Sequence, residues 1–123
     1  MSKLLNIKFI DEGEKGITTV LNSINHKVKR IYFIQKVKNQ NIIRGGHKHK
    51  KTHQTLFVLS GSMSINIIIN KKKISYKIKS TDKKNAIYLE PKDWHDMYNF
   101  SKDCLVCVIA SEKYLKSDYI VLK

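Results

Sequence analysis

With 123 residues, 41% of them apolar, the chain is expected to be one domain spanning residues 1–123 that folds on its own, which excludes a disordered tail. No run approaches the roughly 18 apolar residues a membrane span needs, and the opening MSKLLNIKFI, followed by Asp11 and Glu12, resembles neither a signal nor a transit peptide, so the expectation is a soluble cytoplasmic protein with no membrane partner. The net charge is +14, but of the 24 basic residues only Arg30 and Arg44 are arginine, which disfavours a nucleic-acid surface, where the arginine fork is used heavily.

The apolar pattern has mostly period two. Strand candidates fall at 6–10, 17–21, 30–37 and 54–59. Met63, Ile65, Ile67 and Ile69 then alternate with Ser62, Ser64 and Asn66. A polar turn follows at residues 70–73, and Ile74, Tyr76 and Ile78 alternate with Ser75, Lys77 and Lys79. Together these predict a β-hairpin. Further strands are expected at 87–89, 97–100 and 105–110. Cys104 and Cys107 form a C-x-x-C in the segment 104–110, which reads as a buried strand. Residues three apart on a strand point to opposite faces, so the pair reads as two core thiols rather than a disulfide or a metal clip. The one helix expected covers residues 111–119, with Ser111 as N-cap. About ten short strands in one domain indicate an all-β double-sheet jelly roll, whose mouth holds ligands.

The chemistry concentrates in Arg44-Gly45-Gly46-His47-Lys48-His49-Lys50-Lys51-Thr52-His53-Gln54. On a strand, His47 and His49 leave the same face with Cα atoms roughly 6.5 Å apart. Two imidazoles in one cavity can bind a metal or move protons, and each disfavours charging of the other. The spacing matches the first cupin signature, with Gln54 and Gly61 following the histidines; Pro91, His95 and Asn99 echo the second. Metal-binding cupins resemble a set of two His, a Glu and a third His. Gln54 stands at the Glu position, and a neutral amide is a poor partner for a transition metal. A metal-free histidine pair is the better reading; a metal-dependent cupin enzyme using His47, His49, Gln54 and His95 is the alternative. If Gln54 faces the cavity, His53 faces away. His53 and His26 read as structural, and Trp94 and Tyr98 as core.

A closer resemblance rests on three segments. Lys29-Arg30-Ile31-Tyr32-Phe33-Ile34, the Arg44 to Lys50 core, and the terminal Ala110-Ser111-Glu112-Lys113-Tyr114-Leu115-Lys116-Ser117-Asp118-Tyr119-Ile120 together resemble the sugar 3,4-ketoisomerases of the cupin superfamily. The resemblance covers roughly residues 8 to 120. It implies a dTDP-4-keto-6-deoxyglucose substrate and a 3-keto product, gluco or galacto at C4, on the way to 3-amino-3,6-dideoxy sugars of surface polysaccharide such as lipopolysaccharide. It implies no cofactor: a histidine near neutral pKa suits proton removal beside a carbonyl, and hydrogen-bond donors can stabilise an enediolate. His47, His49 and Tyr32 are the expected catalytic residues; Arg44, Arg30, His95 and Gln54 are expected to bind substrate. The positive field would attract the nucleotide diphosphate. The resemblance also implies a homodimer in which an N-terminal strand, here within residues 4–10, crosses to the partner's sheet.

Overall fold

The structure is a computed structural model and describes residues 1–121. Twelve strands run through these residues: β1 (Lys3–Leu5), β2 (Lys8–Asp11), β3 (Ile17–Val20), β4 (Arg30–Gln35), β5 (Arg44–His49), β6 (Gln54–Ser60), β7 (Ser62–Ile69), β8 (Lys72–Lys79), β9 (Ala86–Leu89), β10 (Trp94–Tyr98), β11 (Leu105–Ala110) and β12 (Tyr119–Ile120). They form two five-stranded antiparallel sheets, β1-β9-β6-β11-β4 and β12-β5-β10-β7-β8, with β2 and β3 as a separate ribbon. This is the double-sheet jelly roll that the patterning predicts, and the double-stranded β-helix (cupin jelly roll) that the resemblance implies.

The core lies between the two sheets. Ile65, Ile67 and Met63 of β7, Ile78 of β8, Leu56 and Val58 of β6, and Val106 and Val108 of β11 are all within 1% of full burial and pack as one cluster. Burying such side chains contributes roughly 1.5–3 kcal/mol each, and period-two alternation puts them on one face of every strand. The β7–β8 hairpin is present, but its turn is tighter than residues 70–73. Asn70 and Lys71 both have positive φ, 49° and 66°, as a two-residue turn matched to strand twist requires, so β8 begins at Lys72.

Two expectations change. The helix expected over residues 111–119 is absent: Leu115 is extended (φ −147°, ψ 112°), and only a single 3-10 turn spans Lys116–Asp118. Ser111 caps nothing; its Oγ accepts from the His53 N–H at 2.9 Å while its own N–H donates to the His53 carbonyl. Tertiary hydrogen bonds replace the helical ones there, and β12 follows. The strand expected at 97–100 starts earlier, at Trp94, and ends at Tyr98, before Asn99 with φ 55°. At the N-terminus, β1 pairs with β9 and β2 with β3. The cysteines behave as expected: both are free and buried, Cys104 in the main core cluster and Cys107 outside it.

Candidate active site

His47 and His49 both lie on β5, whose neighbours are β10 and β12. In register, His47 faces His95 and His49 faces Tyr119. Four rings therefore converge. His47 is edge-on to His49 and His95, with centroids 5.0 Å away in each case, and Tyr119 lies 4.9 Å from His47 and 4.4 Å from His49. The approach of β5 to β10 depends on Gly45. Its φ is +84°, and a Cβ there would stand 3.2 Å from the His95 carbonyl oxygen and 3.4 Å from the Asp96 Cα. Only glycine takes this conformation freely, and it sits where the register between the strands shifts.

Beside these rings, between β4 and the β5–β10 pair, is a cavity of about 310 Å³. Arg30, Tyr32 and Ile34 of β4 line one wall; Arg44, Gly45, His47, His95 and Met97 line the other; Tyr114 and Tyr119 of the C-terminal segment complete it. The chemistry-bearing side chains thus alternate on β4 exactly as core residues would: Arg30, Tyr32 and Ile34 point in, while Ile31 and Phe33 point out.

The sequence-predicted residues separate into two layers. His47, His95, Tyr32, Arg30 and Arg44 line the cavity. His49 and Gln54 lie behind it, 3% and 2% exposed. Gln54 Nε2 donates to the Tyr32 hydroxyl at 2.9 Å. With that oxygen accepting, the Tyr32 O–H is free to donate into the cavity. Arg30 places its guanidinium carbon 5.1 Å from the Tyr32 ring centre and 5.8 Å from that of Tyr114. His53 and His26 do lie apart from the cavity. They stack on each other (6.1 Å), His53 Nδ1 pairs with the Tyr88 hydroxyl at 2.6 Å, and His26 Nε2 with Thr55 Oγ1 at 2.8 Å.

One group that sequence reasoning left without a role is Asp118. It is buried, and its carboxylate accepts from His49 Nδ1 (2.9 Å), Thr52 Oγ1 (2.5 Å) and the Lys51 N–H (2.7 Å). Its place in the terminal motif was visible, but no local pattern links it to a residue 69 positions earlier.

Burial keeps the histidines neutral. The His47 ring is pushed below the usual imidazole range by desolvation and by His49, against a hydrogen bond to the Gly45 backbone. His95 is pushed down to about 3 by desolvation, with His47 and His49 adding to the effect. His49 is lowered by desolvation, opposed by Asp118. Burial alone would raise Asp118, yet hydrogen bonds from Thr52, His49 and the Lys51 backbone hold it below the usual carboxylate range. Tyr32 is raised, chiefly by burial, so it stays a neutral donor.

The residues do not fit the metal site of the metal-binding cupins. Among the described residues, no group of three or more His, Cys, Asp or Glu is arranged to hold a metal ion. Gln54, at the position where a carboxylate ligand would stand, is a neutral amide whose Nε2 is spent on the Tyr32 hydroxyl. What the cavity offers is neutral imidazole, a phenol donor and two fixed guanidinium charges: groups for moving protons on an anionic ligand.

Comparisons with known proteins agree with this chemistry. A curated relative, TDP-4-oxo-6-deoxy-alpha-D-glucose-3,4-oxoisomerase of Aneurinibacillus thermoaerophilus, is 33% identical over 121 residues, covering 97% of this chain and 85% of the relative. A variant of the 3,4-ketoisomerase QdtA from Thermoanaerobacterium thermosaccharolyticum, solved in complex with TDP-4-keto-6-deoxyglucose, matches with a TM-score of 0.87 and 33% identity over 98% of this chain and 87% of that one. WlaRA, a TDP-fucose-3,4-ketoisomerase from Campylobacter jejuni, matches with a TM-score of 0.84 and 29% identity over 98% and 89%. The model of the family described as FdtA, WxcM-like, C-terminal, matches residues 2–122, and this chain belongs to that family.

Proposed function

We propose that the protein is a 3,4-ketoisomerase of a dTDP-4-keto-6-deoxyglucose. The observation that carries this reading is a neutral histidine, His47, facing a cavity walled by two arginines and a phenol. The substrate has C3 bearing H and OH beside the C4 carbonyl. Removing the C3 proton gives an enediolate across C3 and C4. Returning a proton to C4, while the O3 proton leaves and O4 is protonated, gives the 3-keto sugar. A base near neutral pKa suits the first step, and His47 is assigned to the carbon proton.

His49 is assigned to the second proton, between the oxygens. With Nδ1 committed to Asp118, Nε2 is its exchanging atom, and it has no hydrogen-bond partner among the described residues. Substrate would meet it where the His47, His95 and Tyr119 rings converge. Tyr32 donates to a sugar oxygen and stabilises the enediolate; Gln54 acts through Tyr32, and His95 shapes the wall. Arg44 and Arg30 grip the diphosphate, since the planar fork suits phosphate oxygens. No step needs nucleic acid, metal or an organic cofactor.

We also propose a cytoplasmic homodimer. Both cysteines are buried free thiols, and no helix among the described residues is long and apolar enough to cross a membrane. On a chain of charge +14, the outer face of the β1-β9-β6-β11-β4 sheet exposes Ile31 (56%), Phe33 (53%) and Leu59 (44%), an apolar patch of the kind that marks an interface. The 3-keto product is the form an amino-transfer step would use, which places the enzyme in the supply of 3-amino-3,6-dideoxy sugars for surface polysaccharide.

The test is NMR of dTDP-4-keto-6-deoxyglucose incubated with the protein in D₂O. A 3-keto product carrying deuterium at C4, with deuterium washing into C3 of remaining substrate, is expected. Unchanged substrate with no exchange at either carbon overturns the reading.

A further inference from the structure

We propose that Asp118, held by Thr52, is the positioning residue that fixes the His49 tautomer and balances the charge His49 acquires during turnover; the proposal rests on the isomerase reading of the same site. A carboxylate only accepts hydrogen bonds. The 2.9 Å contact with His49 Nδ1 therefore requires the proton on Nδ1, which leaves the Nε2 lone pair as the ring's free valence. That Nε2 is buried and has no partner among the described residues. A buried polar atom is ordinarily paired, and one left open on a ring directly behind the cavity-lining His47 and Tyr119 is placed to exchange a proton.

Asp118 is itself fixed from three directions. Thr52 Oγ1 and the Lys51 N–H donate to its two carboxylate oxygens, one to each, and its carbonyl accepts from the Lys50 N–H at 2.8 Å. The carboxylate cannot swing away from His49 without breaking its hydrogen bonds to the β5–β6 turn. This also explains why the C-terminal segment forgoes a helix. An Asp in a continuous helix over residues 111–119 would not hold its carboxylate and carbonyl against the Lys50–Thr52 turn.

The electrostatics agree. Around His49 are His47 on its own strand, His95 on β10, Tyr119 on β12, and Arg30 acting from β4; Asp118 is the only anion among them. Burial and Arg30 oppose a charged imidazole, and Asp118 counters both. On its far side Asp118 shares a groove with Lys29, Lys51, Lys113 and Glu112, and hydrogen bonds from Thr52, His49 and the Lys51 backbone favour its ionised form. A proton arriving at Nε2 thus produces an ion pair rather than an isolated buried cation.

Two substitutions test this in the full-length protein. Asp118→Asn keeps the shape, removes the charge, and allows the opposite tautomer. Its kcat is expected to fall at least about 100-fold, with KM changed less than about threefold, in line with loss of an acid/base function. Because Asp118 supports the charged form of His49, the acid limb of kcat should move to lower pH. Thr52→Val keeps the carboxylate and makes it a stronger acceptor. Its kcat should fall less than about tenfold, and its acid limb should move the other way, to higher pH. A merely structural role lowers Tm in both variants and leaves both acid limbs in place; that outcome overturns the proposal. So does kcat within about threefold of wild type in Asp118→Asn.

Nitrogen-15 NMR of the wild-type histidine rings decides the matter without substrate, the His49 signals being assigned by their loss in His49→Gln. The Nδ1–H tautomer is expected, and an Nε2–H tautomer overturns the assignment. If wild-type protein does not turn over the nucleotide sugar, the isomerase reading fails, while the ring tautomer still decides Asp118. The same spectrum decides it if Asp118→Asn does not fold.

Discussion

His95 stands opposite His47 in the pairing of β10 with β5, and the two rings meet edge to face with centroids 5.0 Å apart. His95 is 3% exposed and burial holds it at about 3, against about 6.5 in an unfolded chain. Between those values the unfolded chain binds a proton that the folded one does not, so stability rises with pH. The contribution is fully present above about 6.5 and is lost as pH falls towards 3. At about 1.4 kcal/mol per unit of separation, the loss is on the order of several kcal/mol. Urea unfolding at pH 7 and pH 4.5 should show a large drop in the wild-type midpoint and a markedly smaller drop in His95→Gln. Equal drops in the two proteins would mean that His95 is not the acid-sensitive group.

Adjacent glycines give an internal control for the β5–β10 approach. Gly45 and Gly46 both have positive φ, +84° and +71°, but only at Gly45 would a Cβ meet the neighbouring strand. Gly46→Ala should destabilise by about 1 kcal/mol, the strain of a left-handed alanine. Gly45→Ala adds the displacement of β10, which carries His95. It should lose about 2–3 kcal/mol in urea unfolding and depress kcat as well, whereas Gly46→Ala keeps kcat within about twofold. Equal stability losses in the two variants would contradict the close approach.

What was legible in the sequence follows from where the information sits. Strands such as β7 and β8 advertise themselves, because their inward residues Ile65, Ile67 and Ile78 alternate with polar neighbours. The R-G-x-H-x-H segment marks the site because glycine freedom and imidazole pairing are local properties. The terminal segment misleads for the opposite reason. Its propensities allow a helix, but Ser111 and Asp118 are claimed by His53 and by the Lys51–Thr52 turn, 58 and 66–67 positions away. The two-layer arrangement was hidden too. That His49 and Gln54 lie behind the cavity depends on Tyr119 and Tyr32 covering them, and no period in the sequence encodes it.

Tyr32 and Gln54 form the other two-layer unit. Gln54 donates to the Tyr32 oxygen at 2.9 Å, which points the phenol proton towards the cavity. Tyr32→Phe removes that proton, and kcat should fall about 100- to 1,000-fold, the range for losing one preorganised donor. In Gln54→Glu the side chain becomes an acceptor when ionised, so the phenol proton turns to it and away from the cavity. That variant should lose about as much kcat as Tyr32→Phe, and the double variant should lose little more. Steady-state kinetics on the three proteins tests this; additive losses would mean that Gln54 does not act through Tyr32.

The outer sheet face gives the last prediction. Phe33 pairs in register with Cys107 and, through it, with Phe57, while Ile31 pairs with Ile109. Of these outward residues Phe33 and Ile31 are exposed, on the side of β4 opposite Arg30, Tyr32 and Ile34, while Cys107 and Ile109 are buried and Phe57 packs against Leu5, Ile7 and Ala86. If a second copy covers that side, Phe33→Glu buries an unpaired charge at the contact, which costs several kcal/mol of association. Light scattering should then report a dimer for wild type and a monomer for Phe33→Glu at the same micromolar concentration. Because Phe33 points away from the cavity, its effect on kcat should come only through strand β4, whose inner face carries Arg30 and Tyr32. A monomeric wild type, or a Phe33→Glu protein that remains dimeric, would rule out this face as the interface.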